Sequence, residues 1–260
     1  MMDSNMYLQT ILSKYAARSL DSHTLSILLL KADLKKWAST CFLATLDSGS
    51  RAKGTAISMA SDVDYLVSLS SDCNATTGGL KSIYDSLHNH LKSKYNPLRK
   101  QNVSFRINLG GLEIDITPAR KHSGNTNDHW LYVSKIDSWR QTNIQKHITD
   151  ISGCGRLNEI KLLKIWRELN QLDFPSIYLE YLTINILPGK SKDASKLADN
   201  FWFILQELSK DTSNPLNSRI VDPANTTNIL SDLLNATEKN AIITKAKTAI
   251  GQQCCSGVVW

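Results

Sequence analysis

Two aspartates one residue apart, Asp62 and Asp64 in Ser61-Asp62-Val63-Asp64-Tyr65-Leu66-Val67, are the residues of this chain best placed to do chemistry. In an extended segment neighbouring side chains alternate between faces, so the two carboxylates point the same way with α-carbons about 6–7 Å apart. That spacing suits carboxylates sharing a pair of divalent ions. It suits a core strand poorly, because buried unpaired carboxylates are costly. Upstream stand Gly49-Ser50 and Lys53-Gly54-Thr55. A Gly-Ser turn feeding a short helix offers free backbone N–H groups to phosphate oxygens, with Gly49 allowing close approach and the Ser50 hydroxyl adding a donor. Lys53 reads equally as a triphosphate contact and as part of a surface turn, and Thr55 reads as a cap or packing residue. The chemistry these residues could do together is phosphoryl transfer from a nucleoside triphosphate. That reaction needs metal ions to neutralise oxygens, an in-line hydroxyl and donors for the triphosphate tail.

A two-metal site needs a third carboxylate. Leu112-Glu113-Ile114-Asp115-Ile116-Thr117-Pro118 offers Glu113 and Asp115 on one face of an alternating segment, and alternation alone does not choose between them. Taken by themselves, both read as the solvent-facing edge of a hairpin.

The elements that must position these groups follow from periodicity. Residues 4–19 and 22–37 carry apolar positions at helical spacing, among them Leu25, Leu28, Leu29 and Leu30. Thr40 to Leu46 reads as a strand, Asp47-Ser48-Gly49-Ser50 breaks it before a short helix near 51–57, and the aspartate strand follows at 62–68. After a loop over 70–79, residues 80–95 are helical. Val103 to Leu109 and Leu112 to Ile116 alternate around Gly110-Gly111 as a β-hairpin. Trp130 to Ile136 is a further strand, followed by a polar region to about residue 155. Helices then fill 156–171, 175–187, 192–209 and 227–250, interrupted by a loop over 211–226. The chain reads as an α+β protein, residues 1–155 forming a mixed lobe and 156–260 a helical one.

Composition bounds the rest. The 260 residues are 42% hydrophobic and 21% charged, which is ordinary for a water-soluble fold. The five cysteines, Cys41, Cys73, Cys154, Cys254 and Cys255, have no metal-ligand spacing and an odd count, so neither a disulfide framework nor a zinc module is expected and a cytoplasmic location fits best. No apolar run is long enough to insert in a membrane. The net charge of +6 comes from scattered groups such as Lys92, Lys94, Arg99 and Lys100, or Lys190, Lys192 and Lys196. These read first as solvated faces and second as nucleic-acid contacts. His88, His90, His122, His129 and His147 read as solvated, and Trp166 and Trp202 as core residues.

Taken in order, Gly49-Ser50, Lys53-Gly54-Thr55, Ser61-Asp62-Val63-Asp64 and Ile114-Asp115-Ile116-Thr117-Pro118-Ala119 resemble the nucleotidyltransferase superfamily, in its branch of 2′-5′-oligoadenylate synthetases and bacterial cyclic-oligonucleotide synthases. Leu162-Leu163-Lys164-Ile165-Trp166 is similar to the family's Lys-x-Trp helix, Pro175-Ser176-Ile177-Tyr178-Leu179-Glu180 to its next helix start, and Val221-Asp222-Pro223-Ala224 to its Asp-Pro-Ala loop. The resemblance implies a polymerase-β-like core, a mixed sheet with flanking helices, completed by a C-terminal helical lobe. It selects Asp115 over Glu113 as the third catalytic carboxylate, with Asp62, Asp64 and Asp115 binding two Mg2+ ions, or Mn2+. It implies nucleotide contacts from Gly49, Ser50, Lys53, Lys164, Ser176 and Tyr178. The expected activity joins nucleoside triphosphates into a short or cyclic oligonucleotide that signals to a defence effector protein against phage. Transfer to a tRNA or protein acceptor, including self-priming, and non-catalytic nucleotide binding are the alternatives. Ile177 stands where the animal synthetases carry a base-stacking aromatic, and the zinc-binding insertion of the metazoan DNA sensor has no counterpart.

Overall fold

The computed structural model describes residues 3–260 apart from Ser61, Ala75, Asn125 and Gln253, so the serine that opens the aspartate motif lies outside the described residues. Along the chain run α1 (Ser4–Lys14), α2 (Thr24–Ala38), β1 (Phe42–Ser48), α3 (Gly49–Ala52), β2 (Val63–Leu69), α4 (Gly79–Lys92), β3 (Leu98–Lys100), β4 (Phe105–Leu109), β5 (Leu112–Lys121), β6 (His129–Val133) and β7 (Ser138–Thr142). There follow α5 (Ile144–Ser152), α6 (Leu157–Leu169), α7 (Ser176–Ile186), α8 (Leu197–Leu208), β8 (Val221–Asp222), β9 (Asn225–Ile229) and α9 (Ala236–Ile250).

Contacts divide the chain into two compact units, one made of Ser19–Lys53 and Asp62–Ile148, the other of Met1–Arg18, Gly54–Ser61 and Thr149–Trp260. Where a division at residue 155 groups the first residues with the sheet, the contacts group them with the C-terminal helices.

In the first unit, seven strands form a mixed sheet in the order β1-β2-β5-β4-β3, with β6 joined to the far end of β5 and β7 to β6. β2 and β5 run parallel, with Val63 to Leu69 paired against Ile114 to Arg120, and the other pairings are antiparallel. Val63, Tyr65, Val67, Ile114 and Ile116 are buried, together with Leu30 and Leu34 of α2 and Tyr84 and Leu87 of α4. α2 presents Ile27, Leu30, Leu34 and Ala38 to this core at helical spacing, while Leu25, Leu28 and Leu29 face outward.

The expectations for the cysteines and for one histidine fail in this unit. Cys41 and Cys73 form a disulfide with α-carbons 5.5 Å apart, although they are 32 residues apart in sequence. The antiparallel register that sets Phe42 against Leu69 brings the residues flanking that pair together, and Ser70 N–H donates to the Cys41 carbonyl at 2.8 Å. His129 is buried rather than solvated, with Nδ1 2.9 Å from the Asn127 carbonyl and Nε2 2.8 Å from Ser68 Oγ. Burial lowers its pKa, so the ring is neutral, donating from Nδ1 and accepting the Ser68 proton at Nε2.

The second unit is a helical assembly around Ile160, Leu163, Trp166, Tyr178, Leu182, Phe201 and Ile204, with Leu8 and Ile11 of α1 in the same core. Tyr7 Oη donates to the Val259 carbonyl at 2.9 Å, tying the first helix to the last residues. Asn235 and Glu238 form a capping box at the start of α9. Asp222 closes the β8–β9 turn, accepting from Ala224 N–H and Asn228 Nδ2 at 2.9 Å each. Among the described residues no helix is long and apolar enough to cross a membrane.

Candidate active site

The register of the sheet fixes the acidic cluster. Asp64 of β2 lies directly beside Asp115 of β5, and Ser48 at the end of β1 lies on the other side of Asp64. Side chains at matched positions of adjacent strands share a face, so Asp64 and Asp115 emerge together. Asp62 immediately precedes β2. Gly49 follows β1 directly with φ +66°, and a Cβ at this position would lie 1.8 Å from Asp64 Oδ2. Only glycine permits both that backbone conformation and that approach.

The cluster is organised around Arg106 of β4, opposite Asp115 in the hairpin register. Its Nε and Nη2 donate to Asp115 Oδ1 and Oδ2 at 2.8 and 2.7 Å, a bidentate fork. Nη2 also lies 2.6 Å from Asp62 Oδ2, and Nη1 donates to Glu113 Oε2 at 3.0 Å. Gln101 Nε2 donates to Asp115 Oδ1 at 3.0 Å.

Electrostatics reflect the crowding. Burial, with Asp115 and Asp62 adding and Lys53 and Arg106 opposing, pushes the Asp64 carboxyl from its ordinary 3.8 up to about 6. Burial also raises Asp62, with Arg106 opposing and Asp115 and Glu113 adding. The bonds to Asp115 raise Arg106 above its usual value. Lys53 is buried, which removes the surface-turn reading, and its charge is close enough to favour ionised Asp64. Ser50 is half-buried at the start of α3.

The carboxylate oxygens have the hardness that Mg2+ or Mn2+ requires, and the cluster already draws a cation to itself in Arg106. The residues therefore fit a divalent ion in chemistry. Their present arrangement is built on the guanidinium, and among the described residues no group of three or more His, Cys, Asp or Glu side chains is set to hold a metal.

The sequence-derived residues of the helical unit are already engaged. Lys164 of α6 is buried, 2.7 Å from Glu180 Oε1 of α7 and donating to Thr55 Oγ1 at 2.9 Å. Thr55 Oγ1 donates in turn to Glu180 Oε1 at 2.7 Å, so it anchors a buried ion pair. Ser176 Oγ accepts from Arg167 Nη1 at 2.9 Å. Tyr178, expected to contact nucleotide, is instead fully buried against Phe174, donates Oη–H to the Leu216 carbonyl, and has its phenol pushed up to about 12 by burial. Its place on the inward face of α7 makes it a core residue.

Sequence reasoning missed Arg106, Gln101 and Glu180. Arg106 was within reach of it, because a two-residue Gly110-Gly111 turn pairs Leu109 with Leu112 and hence Arg106 with Asp115.

Comparison with known proteins places the chain in a family. Residues 2–154 match the model of the Second Messenger Oligonucleotide or Dinucleotide Synthetase domain. The chain is 27% identical over 208 residues to the cyclic AMP-AMP-AMP synthase of Escherichia coli, covering 73% of this chain and spanning 64% of that protein's length. Among solved structures, Escherichia coli CdnC with ATP superposes with a TM-score of 0.71 at 22% identity, over 95% of this chain and 90% of the other. The Bradyrhizobium diazoefficiens CD-NTase CdnG in complex with GTP gives a TM-score of 0.72 at 10% identity, over 95% and 91%. These superpositions bear out a nucleotidyltransferase fold with a mixed sheet and helices. With more than half of its 260 residues matched, the chain belongs to the Second Messenger Oligonucleotide or Dinucleotide Synthetase domain family.

Proposed function

We propose that this protein is a divalent-metal-dependent nucleotidyltransferase that joins nucleoside triphosphates into a short or cyclic oligonucleotide. The observation that carries the reading is the register of Asp64 beside Asp115 on adjacent parallel strands, with Asp62 one turn of the pleat away and Gly49 packed against Asp64. Bound Mg2+ would neutralise the triphosphate oxygens and lower the pKa of the attacking hydroxyl. Asp62 and Asp64 would hold the metal, and Asp115 would complete the set and take up the hydroxyl proton. The hydroxyl oxygen forms a bond to the α-phosphorus, the bond from that phosphorus to the bridging oxygen breaks, and pyrophosphate leaves with the electron pair. Gly49, Ser50 and Lys53 receive the triphosphate. Lys164 and Ser176 are assigned phosphate contacts on the motif resemblance alone.

The similarity to a cyclic AMP-AMP-AMP synthase makes ATP the first substrate to test, and an effector protein that binds the product the natural partner. Incubation with Mg2+ and all ribo- and deoxyribonucleoside triphosphates, followed by mass spectrometry of small molecules and protein, is the test. A new oligonucleotide with stoichiometric pyrophosphate is expected. A gain in mass of the protein instead would reassign the acceptor, and no pyrophosphate from folded protein would sink the reading. Asp64→Asn is expected to lower pyrophosphate release roughly 100-fold or more while the circular dichroism stays native.

A further inference from the structure

Arg106 touches both Asp62 and Asp115, and it also touches Glu113. Its backbone is fixed, because Phe105 and Ile107 on either side are buried in the sheet core. Its side chain lies along the acidic face. On one side the fork holds Asp115 and Asp62, and on the other Nη1 reaches Glu113, whose side chain is the most exposed of the three carboxylates at 49%. A divalent ion binds carboxylate oxygens at roughly 2.0–2.2 Å and repels a guanidinium whose nitrogens lie against the same oxygens.

We propose that Arg106 is a tethered counter-ion of the aspartate cluster, which holds Asp62 and Asp115 together in the metal-free protein and withdraws onto Glu113 as a divalent ion takes its place. Metal affinity is then set by displacement of the protein's own cation, and Glu113 acts as the resting place of the displaced charge. Arg106 and Glu113 are positioning residues, and the inference rests on the proposed metal-binding role of Asp62 and Asp115.

The test is Mn2+ titration of the full chain by calorimetry, with and without a non-hydrolysable ATP analogue, together with thermal melts in EDTA and in Mn2+. Arg106→Gln is expected to bind Mn2+ at least about tenfold more tightly than wild type, the ratio expected for a close charge pair of modest coupling. It is also expected to melt lower in EDTA and to gain more from Mn2+, because its carboxylates start without a counter-ion. Glu113→Gln is expected to bind Mn2+ more weakly than wild type. If Arg106→Gln folds too poorly without metal, Arg106→Lys carries the comparison, since an ammonium keeps the charge but cannot fork across two carboxylates. It should bind Mn2+ more tightly than wild type by a smaller factor. Equal or weaker binding by Arg106→Gln, or by Arg106→Lys where it stands in, would overturn the proposal and leave Arg106 a fixed brace. Absence of Mn2+ binding in wild type and every variant, even with nucleotide, would overturn the function reading as well.

Discussion

Within the acidic cluster Asp64 is the carboxylate whose pKa is pushed up to about 6, and this has a measurable signature. With its carboxyl raised from 3.8 to about 6, the native state holds a proton that the unfolded chain releases between those values. Asp64 therefore penalises the metal-free fold above pH 6, by on the order of 2–3 kcal/mol, and the penalty fades as pH falls through 6 toward 4. Urea denaturation of wild type and Asp64→Asn in EDTA should show wild type gaining on the variant as pH drops from 7 to 5, and parallel curves would remove the shift. Gly49 gives a second test. Gly49→Ala sets a methyl 1.8 Å from Asp64 Oδ2, whereas Gly111→Ala, also at positive φ, meets nothing within 4 Å. Both variants carry backbone strain of about 1–2 kcal/mol. Only the first should also lose pyrophosphate release beyond its loss in melting temperature. The placement of Asp64 beside Asp115 and of Gly49 against Asp64 was legible because residue type, spacing and alternation coincide there. Tyr178 and His129 were not, since a polar group that is buried and satisfied by a carbonyl has no local mark in sequence.

Among the elements, α6 and α7 are joined by a buried charge pair that determines how they respond to substitution. Glu180 is fully buried and Lys164 is its cationic partner. Lys164→Met should cost about 3–5 kcal/mol by chemical denaturation because it strands a carboxylate in the core. Adding Glu180→Leu should restore part of that loss, and a double variant no more stable than the single one would argue against the pair as the cause. Long elements were readable: α4, α6, α7 and β5 carry enough periodic apolar positions to declare themselves. β3, β7, α5 and the β8–β9 hairpin were not. Ser138-Trp-Arg-Gln-Thr is short and polar, and it is a strand because β6 offers a partner rather than through any pattern of its own. In α2 the helix was legible and its face was not, since Leu25, Leu28 and Leu29 form as good an apolar row as the buried Ile27, Leu30 and Leu34.

The whole molecule couples the beginning of the chain to its end. Leu8 and Ile11 lie in the same core as Val258 and Val259, and Tyr15 Oη donates to the Trp260 carbonyl at 2.6 Å. Deleting residues 1–18 withdraws two fully buried apolar side chains, each contributing about 1.5–3 kcal/mol, from a total that rarely exceeds about 15 kcal/mol. Hydrogen exchange should then show lost protection in α6 and α8 with the sheet spared, and unchanged exchange in those helices would refute the assignment of α1 to that unit. The same arrangement imposes an order on synthesis. Residues 19–148 hold nearly everything the sheet unit needs, whereas the carbonyl that Tyr7 binds lies 252 positions beyond it along the chain. α1 is made well before the C-terminal residues it packs against, and in the interval its apolar stripe is what a nascent-chain chaperone would see.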